Sequence, residues 1–393
     1  MRSIDLHVDV TDAVGLGEPA HIAVTVTVPD DLPADPIVCF AKPGAGYCRG
    51  YFTTDLPGPG HGVGSQADWH AARGWIVVAV DHLGVGESSQ HEPEALTFTR
   101  VVGASEAAEA DVRQKLAAGT LLDGLEPVEH AVTIGIGQSM GGSLTILQQG
   151  RHHSYDGIGV LGYSPLRTLP PTAPGTPPLA LPWVPRDTLP SDGVIPNAPA
   201  LADAAGAVAA AAAAVDGEAA VGAGRERGDG GSAAADLGGI AWGFHYDDVG
   251  ADVVRRDLDD YPARHGDLPP WGSATIPMTV ALWCVSPGSV LTEAAAIRSP
   301  VLVALGERDV LVDPRGELRA YESAASVDYF VCPKMAHMHN FAGTRELFWR
   351  RIETWADWVR AQRDATAAAG RAATGTAGTP GTAGTPGGAG PAA

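Results

Sequence analysis

Apolar and polar positions divide the chain into short strand-like runs and longer helical ones. Alternation in His21-Ile22-Ala23-Val24-Thr25-Val26-Thr27-Val28 predicts a strand near the sheet edge. Other runs are apolar with little alternation: Pro36–Ala41, Trp75–Val80, Ala131–Ile136, Gly157–Tyr163, Pro300–Leu305 and Val327–Val331. A strand that is apolar on both faces has to be covered on both faces. Between these runs, helical stretches are expected near Ala67–Arg73, over roughly 104–119, and from Gly141 to Gln149. A closing helix is expected from Arg345 to Arg363, where Leu347, Phe348, Ile352, Trp355 and Trp358 recur three or four apart. Strands alternating with helices predict an α/β fold with a doubly wound, mostly parallel sheet.

Two stretches break the alternation. Residues 165–297 separate two core strands by far more than an ordinary connection. Part of this insertion, about 198–238, is Ala/Gly-rich low complexity and predicts disorder. The rest carries Trp183, Trp242, Phe244, His245, Tyr246, Trp271 and Trp283, an aromatic density suited to a packed cap. The organisation expected is therefore a core in two parts, 1–164 and 298–364, a cap insertion at 165–297, and an unstructured tail at 365–393 rich in Ala-Gly-Thr-Pro.

Composition narrows the function classes. Hydrophobic residues at 45% suffice for a buried core, and a net charge of −20 argues against nucleic acid and anionic membranes as partners. The fifty glycines and thirty-one prolines fit long loops. No signal-peptide h-region opens the chain and no uninterrupted apolar run is long enough to span a bilayer. Cys39, Cys48, Cys284 and Cys332 are scattered without a CxxC pair, so buried free thiols and a reduced, cytoplasmic setting are expected. The pairs His337/His339 and His152/His153 lack carboxylates at ligand spacing, so neither a metal nor another cofactor is expected.

The chemistry concentrates in Gly137-Gln138-Ser139-Met140-Gly141. Gly-x-Ser-x-Gly places a serine on a strained strand-to-helix turn, and here an apolar strand precedes it and a helical stretch follows. A serine hydroxyl needs a base to take its proton, which predicts a carboxylate and then a histidine downstream. Asp309 follows Gly306-Glu307-Arg308 at the end of the strand 300–305, and His337 lies just beyond the strand 327–331. Glu307 and Asp313 compete with Asp309 but read as solvated carboxylates. His339 competes with His337, which is preferred because it comes first and follows a small residue. An oxyanion hole is expected from the backbone N–H of Met140 and, in the loop Pro43-Gly44-Ala45-Gly46-Tyr47, that of Ala45.

Taken together, the Gly-rich loop, Asp-x-x-Gly-x-Gly-x-Ser over Asp81–Ser88, Gly-Gln-Ser-Met-Gly, Gly-x-x-Asp and a final His resemble the α/β-hydrolase superfamily. The resemblance covers roughly 20–164 and 298–364, with a cap inserted where relatives carry theirs. Two departures are Lys42-Pro43-Gly44 where many relatives have His-Gly, and Gln138 in place of the commoner His. The resemblance implies a serine hydrolase acting on an ester or lactone of a fairly hydrophobic small molecule, with cap aromatics such as Trp242 and Trp271 roofing the pocket. The alternatives are hydrolysis of a carbon–carbon bond next to a ketone, and a non-catalytic ligand-binding protein on the same fold. The oligomeric state is left open.

Overall fold

A computed structural model of the chain describes residues 1–175, 239–311 and 313–375, with side chains up to residue 369. Its centre is one sheet of eight strands: β1 (Arg2–Asp9), β2 (His21–Val28), β3 (Ile37–Lys42), β4 (Ile76–Val80), β5 (Val132–Gln138), β6 (Gly157–Leu161), β7 (Val301–Arg308) and β8 (Val327–Ala336). The spatial order is β1-β2-β4-β3-β5-β6-β7-β8. β1 and β4 both run antiparallel to β2, and the remaining pairs are parallel.

The lack of alternation in the central strands follows from their two covered faces. In β3, Val38 and Phe40 pack into one apolar cluster while Ile37, Cys39 and Ala41 pack into the opposite one. β4 divides in the same way, with Ile76, Val78 and Val80 against Val77 and Ala79. The first cluster lies beneath the helices Phe98–Ala117 and Met140–His152, and the second beneath Trp349 and Trp355 of the helix Arg345–Gly375. The four cysteines are free and buried; burial pushes the Cys48 and Cys284 thiols up to about 12, so they act as packing atoms.

β2 lies near the sheet edge, as its alternation predicts, with β1 paired along its length on the outside; the alternation of Ile4, Leu6 and Val8 is the signal for that added strand. One boundary moves. The closing helix runs on to Gly375, so residues 365–375, expected to open an unstructured tail, are helical. Their alanine content explains it, alanine having the highest intrinsic helix propensity. Residues 376–393, the stretch 198–238 and Trp183 lie outside the described residues.

Lys42, the departure at the end of β3, is fully buried, and its ammonium donates to the Glu109 carboxylate and to the Tyr155 hydroxyl at 2.6 Å. Tyr155 in turn donates to Glu109 at 2.5 Å, and the Gln148 amide donates to the same carboxylate at 2.9 Å. The lysine is thus a buried tie between β3 and the helix Phe98–Ala117. Asp81 of the glycine-rich motif is likewise structural. It accepts from the Arg49 N–H at 2.6 Å and the Glu87 N–H at 3.0 Å, and a Cβ on Gly86 would stand 2.3 Å from its carboxylate.

Parallel strands end at the same edge of a sheet, and loops there carry the ligand site of open α/β folds. The loop after β3, the turn after β5, and the exits of β7 and β8 therefore converge. No helix among the described residues is long and apolar enough to cross a membrane.

Candidate active site

Ser139 stands between β5 and the helix Met140–His152 with φ 54° and ψ −119°, a left-sided conformation that side chains rarely adopt. Its N–H donates to the Leu161 carbonyl of β6 at 2.8 Å, which pins the turn to the neighbouring strand. The flanking glycines are required by contact. A Cβ on Gly137 would lie 2.1 Å from the Gly141 carbonyl oxygen, and one on Gly141 would lie 2.2 Å from that of Lys42.

Asp309 is buried at the exit of β7 and accepts four hydrogen bonds. His337 Nδ1 donates to one oxygen at 2.7 Å and His339 Nε2 to the other at 2.8 Å. The backbone N–H groups of Gly306 and Val310 add bonds of 2.9 and 2.8 Å. Burial alone would raise the Asp309 pKa, but the two histidines outweigh it and hold the carboxyl well below the usual carboxylate range. A carboxylate can only accept, so both facing ring nitrogens carry protons, and the remaining His337 nitrogen, Nε2, is approached by the Gln138 amide nitrogen at 3.4 Å. Ser139 and His337 face the same cavity.

Ala45 and Met140 also line that cavity, and neither backbone N–H is engaged among the described residues. The loop bearing Ala45 is held from behind by His82, whose Nε2 donates to the Pro43 carbonyl at 2.8 Å. Gln138 donates from Nε2 to the His337 carbonyl at 3.1 Å, bracing the histidine loop. A Cβ on Gly44 would stand 2.3 Å from Gln138 Oε1, so this residue needs a glycine opposite it.

No protein-family model matches the chain, and no curated protein matches its sequence. Solved structures do share its architecture. A bromoperoxidase from Bacillus anthracis aligns with a TM-score of 0.52 at 12% identity, over 88% of this chain and 100% of that one. An esterase from Exiguobacterium antarcticum aligns at 0.51 and 14% identity, over 86% and 96%. A thermophilic esterase from Thermogutta terrifontis aligns at 0.50 and 15% identity, over 90% and 99%. The chain has the α/β-hydrolase fold.

In this α/β-hydrolase fold the described part of the insertion lies over the strand ends. It contains the helices Ala241–Phe244, Ala251–Leu258, Met278–Cys284 and Leu291–Ala296. The first is bonded directly to the histidine loop: the His337 and Met338 N–H groups donate to the Gly243 and Phe244 carbonyls at 3.0 and 2.8 Å. A fully buried carboxylate, Asp257, ties the cap to the Ala45 loop. It accepts from Tyr47 and Trp271 at 2.7 Å each and from His245 at 2.8 Å. Arg264, bonded to the Asp257 carbonyl, also donates to the Gly46 carbonyl. No local motif announces this cluster, since its members are spread over 47–271.

The cavity has a volume of about 100 Å³. Phe244, Tyr261, Met278 and Leu282 from the insertion face it, with Tyr163 and Val310 from the core. No Asp, Glu, Lys or Arg lines it among the described residues. The roof expected from Trp242 and Trp271 is therefore formed by other aromatics. Trp271 is held one layer away by its bond to Asp257, and Trp242 lies against the Arg308 guanidinium at 4.1 Å. The competing carboxylates stay outside: Glu307 is exposed and bonded to Tyr246, and Asp313 pairs with Arg319 on the surface. No group of three or more His, Cys, Asp or Glu among the described residues could hold a metal ion.

Behind Tyr163, Ser164 donates to both oxygens of Glu317 at 2.8 and 2.9 Å. Burial, seconded by Asp313, raises Glu317 to about 7 against the opposing effect of Ser164. In the folded chain this carboxyl keeps its proton beyond the ordinary value of 4.5, so its contribution to stability is lost as pH rises from 4.5 through 7. Glu317→Gln, which cannot ionise, should gain on the order of 2 kcal/mol relative to the parent between pH 5 and pH 8. Urea unfolding at both pH values reads this difference; an unchanged gap between parent and variant would contradict the assignment.

Proposed function

We propose that the chain is a serine hydrolase cleaving a neutral ester or lactone of a small hydrophobic molecule through an acyl-enzyme. The observation that carries this reading is a cavity that opens on both Ser139 and His337 and is lined by no Asp, Glu, Lys or Arg among the described residues, with Asp309 held on the far side of the imidazole. His337 Nε2 takes the Ser139 proton as Oγ attacks the carbonyl carbon. Asp309 keeps the Nδ1–H tautomer in place and offsets the charge of the imidazolium that forms. The oxyanion points toward the Met140 and Ala45 N–H groups, the first at the start of a helix whose dipole favours negative charge. His337 then returns the proton to the departing alkoxide, and water repeats the sequence to release the acid.

An uncharged wall leaves a carboxylate or ammonium on the substrate desolvated and unpaired, so neutral acyl groups are preferred. The test is turnover of nitrophenyl esters from acetate to octanoate, with a monosuccinate ester as the anionic comparison and Ser139→Ala as control. Hydrolysis of short neutral esters that disappears in the control supports the reading; hydrolysis unaffected by the control sinks it.

The small volume also sets a length limit. Leu282, buried on the helix Met278–Cys284, reaches into the cavity. Leu282→Ala should raise the octanoate-to-butyrate ratio of kcat/KM by about tenfold or more, since a methylene in an apolar pocket is worth about 1–3 kcal/mol. A ratio that stays put would place the acyl chain elsewhere.

A further inference from the structure

We propose that His339 is a positioning residue for the Ser139–His337–Asp309 assembly, holding the second oxygen of Asp309 through a fixed Nε2–H tautomer and thereby limiting the basicity of His337. The inference rests on the proposed function above, because it gives His339 a task only if His337 is the base.

Asp309 is a shared acceptor, with one imidazole on each oxygen at 2.7 and 2.8 Å. His339 lies buried in the short 3₁₀ turn His339–Phe341, directly after the β8 exit that carries His337. The His339 ring packs against Phe348 of the closing helix at 4.5 Å between centroids, and its Nδ1 is buried without a hydrogen-bond partner among the described residues. A protonated ring there would bury a second N–H with nothing to accept it. Burial lowers the His339 pKa against the pull of Asp309, consistent with a ring that stays neutral.

The consequence concerns how Asp309 spends its charge. Each donor to a carboxylate spreads its negative charge and weakens what is left for the next donor. Besides His337, three donors act on Asp309: His339 and two backbone N–H groups. Of these only the side chain can be altered without rebuilding the chain. Among the described residues, other ionisable groups around the two rings are few. Tyr51, from the segment after the Ala45 loop, has a phenol that accepts from the Asn340 N–H at 3.1 Å, and burial keeps that phenol protonated. The cap contributes Phe244 and the Gly243 carbonyl, the closing helix contributes Phe348, and neither side chain titrates.

Removing the second donor should therefore do two things. Asp309 loses a fixed bond and orients His337 less well, lowering kcat more than it changes KM. It also concentrates charge on His337, which strengthens the imidazolium and moves the acid limb of kcat/KM to higher pH. A bond to a carboxylate is worth about 1.5 kcal/mol or more, so a shift on the order of half to one pH unit is expected. His339→Phe deletes the donor while keeping a flat ring against Phe348. His339→Gln supplies an amide N–H in the same direction and should return the limb toward its parental position.

The test combines pH profiles of kcat/KM for the parent, His339→Phe and His339→Gln with nitrogen-15 resonances of the histidine rings in the unaltered protein. The proposal expects the upward shift in His339→Phe, its reversal in His339→Gln, and a His339 resonance fixed as the Nε2–H form from pH 5 to pH 9. It is overturned by an unshifted limb in a folded His339→Phe, by equal shifts in both variants, or by a His339 ring that titrates or shows the Nδ1–H form. The nitrogen measurement stands even where His339→Phe fails to fold. Fluorophosphonate labelling of the parent separates the two levels: loss of labelling at Ser139 removes the proposed function and this role with it. Labelling at Ser139 with an unmoved limb removes only the role.

Discussion

Ser139→Ala is expected to lower kcat for a short nitrophenyl ester by about 10⁴- to 10⁶-fold, with the fold intact. The hydroxyl is the only atom removed, and the Cys284 thiol that also lines the cavity is pushed up to about 12 by burial and donates to Ser143. A residual rate is expected from the two N–H donors and from binding alone. Ser139→Gly should be equally inactive yet more stable than Ser139→Ala by about 1 kcal/mol, because glycine occupies φ 54° without the steric cost that any Cβ carries there. Denaturant midpoints and kcat measured on the three proteins read both effects. Equal stability of the two variants would mean that the turn is not strained.

Lys42→Met is expected to destabilise the chain by about 3–5 kcal/mol. The change leaves the Glu109 carboxylate fully buried, with Tyr155 and Gln148 as donors but no ammonium against its charge. Arg113 stands 3.8 Å away and offsets only part of the loss. Adding Glu109→Gln removes the orphaned charge, so the double variant should recover most of the stability, a coupling that separate contributions would not produce. Activity should fall as well: the Lys42 carbonyl packs on Gly141, so a shift of β3 moves both the Ala45 loop and the turn bearing Ser139. A single variant as stable as the parent would show that the buried pair carries no weight.

How much of this was legible in the sequence differs from residue to residue. Ser139, Asp309 and His337 could be placed because each is tied to a strand end, and a strand covered on both faces shows as an uninterrupted apolar run such as Trp75–Val80. Gly137 was legible for a similar local reason, a close backbone approach within five residues, whereas Gly141 is held by the distant Lys42 carbonyl. The bond from His339 to Asp309 was not, since two histidines two apart look alike until the turn His339–Phe341 rotates one behind the carboxylate. Which of the insertion's aromatics face the cavity was not legible, because aromatic residues in an insertion carry no signal for direction. Trp271 spends its N–H on Asp257, while Phe244, two residues from Trp242, faces the cavity. The buried clusters around Asp257 and Lys42 join residues far apart in the chain, which no local pattern records.

The central claim, that Ser139 is an activated nucleophile in an apolar site, is tested most directly by reaction with a fluorophosphonate. The Ser139 oxygen should displace fluoride to leave one phosphonyl adduct per chain, located by mass spectrometry in the peptide containing Gly137-Gln138-Ser139-Met140-Gly141 and absent in Ser139→Ala. An unreacted protein, or an adduct that persists in Ser139→Ala, would contradict the account.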